Sequence, residues 1–124
     1  MKIEKIKTQN WKEVVSIFNR LHKNWYASLQ ENYDEGNSKV LINEFRLKDI
    51  SLNLEKGEYN NVAYIHGKKD NEETNHLVLN VKNISLEKDD AGNDKAIIFG
   101  REEGPTTVVE FRTTKPNVML DGIV

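Results

Sequence analysis

The chain has 124 residues, of which 37% are hydrophobic and 31% charged, with a net charge of −2 at neutral pH and no cysteine. Length and composition are those of a soluble globular protein, and we expect one domain over residues 1–124. The composition excludes disulfides and thiol catalysis, and the lack of a long apolar run or a signal-peptide core predicts a cytoplasmic location.

The first predicted element is an amphipathic helix over about residues 10–30. Its apolar residues recur at spacings of three and four from Trp11 to Leu29, so they share one arc of a helical wheel. Asn10 and Glu13 are placed as in a capping box, where each side chain accepts from free amides of the first turn. The turn-rich segment NYDEGNS marks the end of the helix.

Alternating apolar residues then predict five or six strands within about residues 38–114. In KVLINEFRLKDISLNLEK the inward-facing parity changes between Leu47 and Ile50. Slipping by one residue exchanges the two faces of a strand, so this change predicts a bulge near Lys48 and Asp49.

The segment HLVLNVKNISLEK shows a second change of parity and is interpreted as another bent strand. Its inward residues are predicted to be Leu77, Leu79 and Val81 before the change, and Ile84 and Leu86 after it. Bent strands favour a curled sheet. The predicted fold class is therefore α+β, with one amino-terminal amphipathic helix packed on a strongly curved, mostly antiparallel sheet or small barrel of five or six strands.

The segment YIHGKKDNEETNH holds two of the three histidines and predicts a charged hairpin. If His66 and His76 share a face, their imidazoles could bind a transition metal, with Asp70, Glu72 or Glu73 as a carboxylate ligand. The spacing matches no compact metal motif, however, so a solvated hairpin mouth is the favoured interpretation and no cofactor is expected.

His22 falls within the apolar arc of the predicted helix. It could be a buried base with tuned proton affinity, but a histidine at the core edge, with one nitrogen bonded to a carbonyl, is the favoured interpretation. The paired carboxylates at residues 89–90 and 102–103 are sequence neighbours in turns, where they rarely face each other across a cleft. No other catalytic motif is found, and we predict that the protein is not an enzyme.

The carboxyl-terminal segment, residues 115–124, is an apolar tail that either docks on the domain or forms a contact surface. Its apolar residues are Val118, Met119, Leu120, Ile123 and Val124. The leading functional hypothesis is a non-catalytic module that binds a protein partner or a second copy of itself, through this tail or through the edges of the sheet.

Two other functions are open. One is a small-ligand- or metal-binding protein with a pocket in the curved sheet, which requires an apolar cavity of about 300 Å3 or more between helix and sheet. The other is single-stranded nucleic-acid binding on a barrel face. Lys and Arg are scattered among carboxylates along the chain, so nucleic acid is the less favoured partner, and no membrane contact is expected.

Several features resemble a bacterial family of short proteins catalogued only as a domain of unknown function. They are a helix carrying Trp11, Val15, Phe18 and Leu21, a charged hairpin before an apolar strand over residues 68–79, and a final hairpin over residues 96–112. The segment between the helix and the first strand is longer here than in that family, and the tail is more apolar. The resemblance implies no activity, since none is assigned to the family.

Overall fold

The computed structural model describes residues 2–54 and 61–112. The apolar residues of the predicted tail surface, at 118–120 and 123–124, lie outside these ranges. In chain order the elements are β1 (Lys2–Ile6), α1 (Trp11–His22), β2 (Tyr26–Asn32), β3 (Ser38–Asn53), β4 (Val62–Lys69), β5 (Glu72–Val78), β6 (Val81–Lys88), β7 (Asp94–Arg101) and β8 (Thr106–Phe111).

The strands form one sheet in the order β1-β6-β7-β8-β2-β3-β4-β5, and every neighbouring pair is antiparallel. The predicted α+β class is confirmed, because one amino-terminal helix accompanies a mostly antiparallel sheet. The predicted strand number is wrong: over residues 2–54 and 61–112 the sheet has eight strands instead of five or six, and these strands do not close into a barrel. Strands β1 and β2 were not expected, and the second bent strand is divided into β5 and β6.

The helix ends at His22, not near residue 30. Asn24 has a positive φ of 71°, which turns the chain out of the helix, and its N–H donates to the Leu47 carbonyl of β3 at 2.7 Å. The following residues pair with β3 on one side and β8 on the other. Two complete ladders therefore override the helical spacing of Trp25 and Leu29, which fits alternating strand positions equally well.

The bulge predicted in β3 is confirmed. The register of β3 against β4 shifts between Leu47 and Asp49, so both Leu47 and Ile50 are buried. This shift lets one strand present apolar residues inward along two successive segments, the first paired with β2 and the second with β4.

The second change of parity is confirmed in position, and Val81 is buried as predicted, but the other two inward residues predicted before the change, Leu77 and Leu79, are wrong. The register of β6 against β7 shifts between Val81 and Asn83. On β5, however, Val78 is buried, whereas Leu77 and Leu79 are 51% and 49% exposed. The cause is the connection after Val78, in which Asn80 takes a φ of 56° and resets the parity before β6 begins.

Because only Leu79 and Asn80 separate β5 from β6, the sheet must curl to bring its two ends near each other. The Val81 N–H donates to the Asn61 carbonyl at 2.9 Å at this corner. The concave face is filled by Trp11, Val15 and Phe18 of α1 together with strand residues. Within the described ranges, no helix is long and apolar enough to cross a membrane.

Asn19 connects α1 to β3, because its side-chain amide forms two hydrogen bonds with the backbone of Ile50. Its Nδ2 donates to the Ile50 carbonyl at 2.7 Å, and its Oδ1 accepts from the Ile50 N–H at 2.8 Å. Asn19→Ala leaves both backbone groups without that partner, so we expect unfolding free energy to fall by about 2–3 kcal/mol. Chemical denaturation measures this, with the exposed Ser16→Ala as control; equal effects of the two substitutions would contradict it.

Candidate functional site

The segment singled out for its two histidines forms the β4–β5 hairpin, as expected. Asp70 and Asn71 have φ values of 51° and 70°, which make a two-residue turn of the type that matches strand twist. Asp70 therefore lies at the hairpin tip, and Glu72 is the first residue of β5, opposite Lys69. The long charged loop expected from the sequence is mostly paired strand.

His66 and His76 lie on opposite faces of this hairpin. His66 stands opposite Asn75, and His76 stands opposite Ile65, one position further along the ladder. Directly opposed residues share a face and successive residues alternate, so the two imidazoles project in opposite directions. The structure does not bring the two histidines together as ligands of one metal ion.

Their surroundings also differ. The His66 Nδ1 contacts the Asn75 side-chain oxygen, which orients the ring on the convex face. His76 is half-buried on the concave face; burial lowers its pKa, and this effect is opposed by Glu31 and reinforced by Arg101. In the part of the chain that the structure describes, no three His, Asp or Glu side chains are grouped to hold a metal ion.

His22 is buried among the aromatic rings of Phe18, Trp25 and Phe111, whose centroids lie 4.3, 4.6 and 4.7 Å from its own. Its Nδ1 donates to the Phe18 carbonyl at 2.7 Å. This confirms the favoured interpretation of a core histidine bonded to a carbonyl. No sequence pattern indicated its second partner, Asp94, whose Oδ2 lies 3.2 Å from the His22 Nε2.

The contacts of His22 are those of a structural ion pair. Nδ1 donates to a carbonyl, and Nε2 faces the Asp94 carboxylate, so each ring nitrogen lies beside an oxygen acceptor. The hydrogen bond from His22 lowers the pKa of Asp94, and burial opposes this shift. The pair is therefore explained by packing and charge without a chemical step.

A groove of about 200 Å3 lies between α1 and the edge of the sheet. It is lined mostly by apolar side chains, among them Ile6 and Leu21, and its charged lining residues are Glu4, Lys88 and Asp94. This volume is below the roughly 300 Å3 expected of a small-molecule pocket. This groove therefore gives little room for a ligand. A second depression, between α1 and β3, has a volume of about 340 Å3, but Lys12, Ser16 and Asn19 are in its lining, so it is not the apolar cavity that the sequence predicted.

A larger cleft lies elsewhere, where β3 passes the tip of the β4–β5 hairpin. It has a volume of about 760 Å3. Its charged lining consists of four cationic and two anionic side chains, which are Arg46, Lys48, Lys68, Lys69, Glu44 and Asp70. We call this site the basic cleft. It carries a local excess of positive charge in a chain whose net charge is −2.

Tyr26 and Arg46 form the fixed wall of the basic cleft. The Tyr26 hydroxyl accepts from Arg46 Nη2 at 2.7 Å and from Arg46 Nε at 3.2 Å. The guanidinium carbons of Arg46 and Arg112 each lie 4.9 Å from the centroid of the Tyr26 ring. These contacts hold the Arg46 guanidinium in one orientation. The side chain therefore loses less conformational entropy when it binds an anion.

The lysines are also positioned by oxygen acceptors. Lys48 Nζ donates to the Asn24 side-chain oxygen at 2.6 Å, and Lys69 Nζ donates to the Glu44 carbonyl at 3.0 Å. Each ammonium group has three protons, so further donors remain for a ligand. Glu44 is itself paired with Arg112 through an Nη1–Oε1 distance of 3.0 Å, which offsets its negative charge at the rim.

The sequence analysis missed the basic cleft because its cations are far apart in the chain. Register brings them together: Arg46 stands opposite Lys68, at the point where β3 leaves the hairpin. The available signals were the Lys68-Lys69 doublet and the alternating Arg46 and Lys48, but both are interspersed with carboxylates.

No protein-family model, curated protein or solved structure matches this chain. The resemblance to a family of unknown function therefore stays a prediction, and the function has to be argued from the geometry of the chain alone.

Proposed function

We propose that the protein is a non-catalytic binding module that holds a multiply charged small anion, of the di- or triphosphate class, in the basic cleft. The observation that supports this is the grouping of Arg46, Lys48, Lys68 and Lys69 around one concave surface. Several cations on one wall suit a ligand with several charged oxygens, because each charge-assisted hydrogen bond is stronger than a neutral one.

The surroundings of Tyr26 favour a compact anion over single-stranded nucleic acid. Stacking of bases requires an aromatic face that is free for the base. The Tyr26 ring instead has two guanidinium groups beside it and a hydroxyl bonded to Arg46. Glu44 and Asp70 lie in the same lining, which interrupts the positive surface that an extended phosphate backbone would follow.

Calorimetric titration with inorganic pyrophosphate tests the proposal. We expect saturable binding, weakened about tenfold by Lys68→Gln or by Lys69→Gln, since each removes one charge-assisted contact. Lys12→Gln, at the exposed start of α1, is the matched control and should bind like the parent protein. Added salt should weaken binding, because the cleft is open to solvent.

Two results would contradict the proposal. The first is an absence of pyrophosphate binding at low salt. The second is binding that Lys68→Gln and Lys12→Gln weaken equally, which would locate the anion outside the basic cleft. A single-stranded oligonucleotide that binds far more tightly than pyrophosphate would instead favour the nucleic-acid function.

A role in protein contacts is the second candidate. Three large apolar side chains of the amino-terminal part are exposed: Ile3 on β1, and Ile17 and Leu21 on α1. Exposed apolar groups near a sheet edge are typical of association surfaces. A contact role of the tail, residues 115–124, and a cytoplasmic location also remain proposals, supported by the sequence patterns that predicted them.

A further inference from the structure

Strand β1 forms one end of the sheet, and its outer edge pairs with no other strand among the described residues. Residues 2–5 are all exposed, and Ile3 reaches 63% exposure. An edge of this kind presents free N–H and C=O groups that can add a further strand.

The β6–β7 hairpin shows which backbone groups of β1 point outward. Its Asp89 N–H donates to the Asn93 carbonyl at 2.9 Å, so Asp89 faces β7 and, by alternation along β6, Leu86 faces β1. Leu86 stands opposite Glu4, so Glu4 and, by the same alternation, Lys2 and Ile6 direct their backbone groups toward β6. Ile3 and Lys5 present theirs to the open edge.

We propose that this edge is a self-association surface, on which β1 of a second copy adds as an antiparallel strand with Ile3 on the two-fold axis. In this register Lys2 stands opposite Glu4 of the second copy, and Glu4 stands opposite Lys2 of the second copy. Ile3 presents its backbone groups to the open edge, so the two Ile3 residues form the hydrogen-bonded pair. The Lys2–Glu4 pairs on either side are non-hydrogen-bonded pairs, where side chains approach most closely.

Charge selects this register among the two-fold alternatives. A two-fold axis perpendicular to the sheet pairs residues of the same parity, so one residue always faces its own copy. Placing Glu4 on the axis sets two carboxylates opposite each other, and placing Lys5 there sets two ammonium groups opposite each other. Only the Ile3 register places an apolar pair at the centre with two Lys2–Glu4 pairs beside it.

The apolar groove adjoins the same edge, since Glu4 and Ile6 of β1 line it together with Ile17 and Leu21. A strand added to β1 would extend the concave face beside these exposed helix residues. The strand itself is short, with five residues. Association should therefore be weak and concentration-dependent, as is typical of small interfaces. The proposal does not depend on the basic cleft, because neither surface shares a residue with the other.

Cysteine cross-linking tests the register, since the natural chain has no cysteine. In Ile3→Cys the Cα atoms of the two cysteines would lie about 5.5 Å apart, within the span of a disulfide. In Lys5→Cys they would be offset by about 13 Å along the strands. Mild oxidation should therefore give a covalent dimer of Ile3→Cys and much less of Lys5→Cys. Equal cross-linking of both variants would overturn the register.

Charge reversal tests the pairing by sedimentation analysis at increasing protein concentration. Lys2→Glu and Glu4→Lys should each abolish the dimer, and the double variant should restore it. Lys5→Glu, on the opposite face, should leave it unchanged. A parent protein that stays monomeric at every concentration would overturn the proposal. The open edge of β1 would then bind another protein or another part of the chain instead of a second copy. A double variant that fails to recover the dimer would also overturn the proposal.

Discussion

Replacing Gly67 with alanine is expected to lower the unfolding free energy by about 3 kcal/mol, the upper part of the usual range for overpacked cores. A Cβ at this position would meet the Phe45 ring, lying 2.6 Å from its Cε2, and would lie 2.8 Å from the Arg46 carbonyl oxygen. Phe45 is buried, and the carbonyl belongs to the adjacent strand. Neither neighbour can move without disturbing the ladder between β3 and β4.

Chemical denaturation of two variants separates this clash from a general effect of removing glycine. Gly92 has a φ of 86° and no atom within 4 Å of an added Cβ, so Gly92→Ala should cost only the roughly 1–2 kcal/mol of a left-handed alanine. Equal costs at the two positions would contradict the packing argument.

A second substitution can relieve part of the clash. In a Phe45→Leu background, Gly67→Ala should be less costly than in the parent, because the ring atoms are gone while the Arg46 carbonyl remains. Both Phe45 and Arg46 line the basic cleft. Gly67→Ala should therefore also weaken pyrophosphate binding, which links the packing of this strand pair to the proposed function.

The fold was predictable where a pattern is local. The spacing of Trp11, Val15 and Phe18 placed the helix correctly, and the parity change in β3 placed its bulge. The helix end was not predictable, because Leu29 satisfies both helical and alternating spacing. Pairing with β3 and β8 decides between the two, and pairing depends on residues distant in the chain.

The site was less predictable than the fold. The histidines of the β4–β5 hairpin attracted attention because they are close in sequence, yet a one-residue offset in register separates His66 and His76 onto opposite faces. The basic cleft arises in the reverse way, since Arg46 and Lys68 are distant in sequence and opposite in register. Which charges meet on a sheet follows from register, and register is fixed by the buried face.

The largest electrostatic effect is expected at the buried pair of His22 and Asp94. Asp94→Ala should lower the unfolding free energy at neutral pH by about 3 kcal/mol, the lower end of the range for breaking a buried ion pair. The His22 Nε2 would lose its acceptor while Phe18, Trp25 and Phe111 keep water away from the ring. Lys88, whose Nζ lies 3.6 Å from Asp94 Oδ1, would lose its nearby carboxylate as well.

Asp94→Asn separates charge from hydrogen bonding. The amide oxygen can still accept from His22, so this variant should be destabilised less than Asp94→Ala. It should still lose the charge interaction with both His22 and Lys88. If the two variants are equally destabilised at neutral pH, the charge on Asp94 accounts for the whole effect and the hydrogen bond for none.

The dependence on pH gives the decisive measurement. The hydrogen bond from His22 holds the pKa of Asp94 below its ordinary value of 3.8 in the folded protein. A carboxyl with a lowered folded pKa stabilises the fold fully above its ordinary pKa and loses this contribution as the pH falls through the folded value. The difference in unfolding free energy between the parent and Asp94→Ala should therefore be constant near neutrality and shrink below about pH 4. Urea denaturation over this range, with the exposed Asp34→Ala as control, measures it. A difference that stays constant to the lowest pH would assign the loss to packing around His22 and not to the ionised carboxylate.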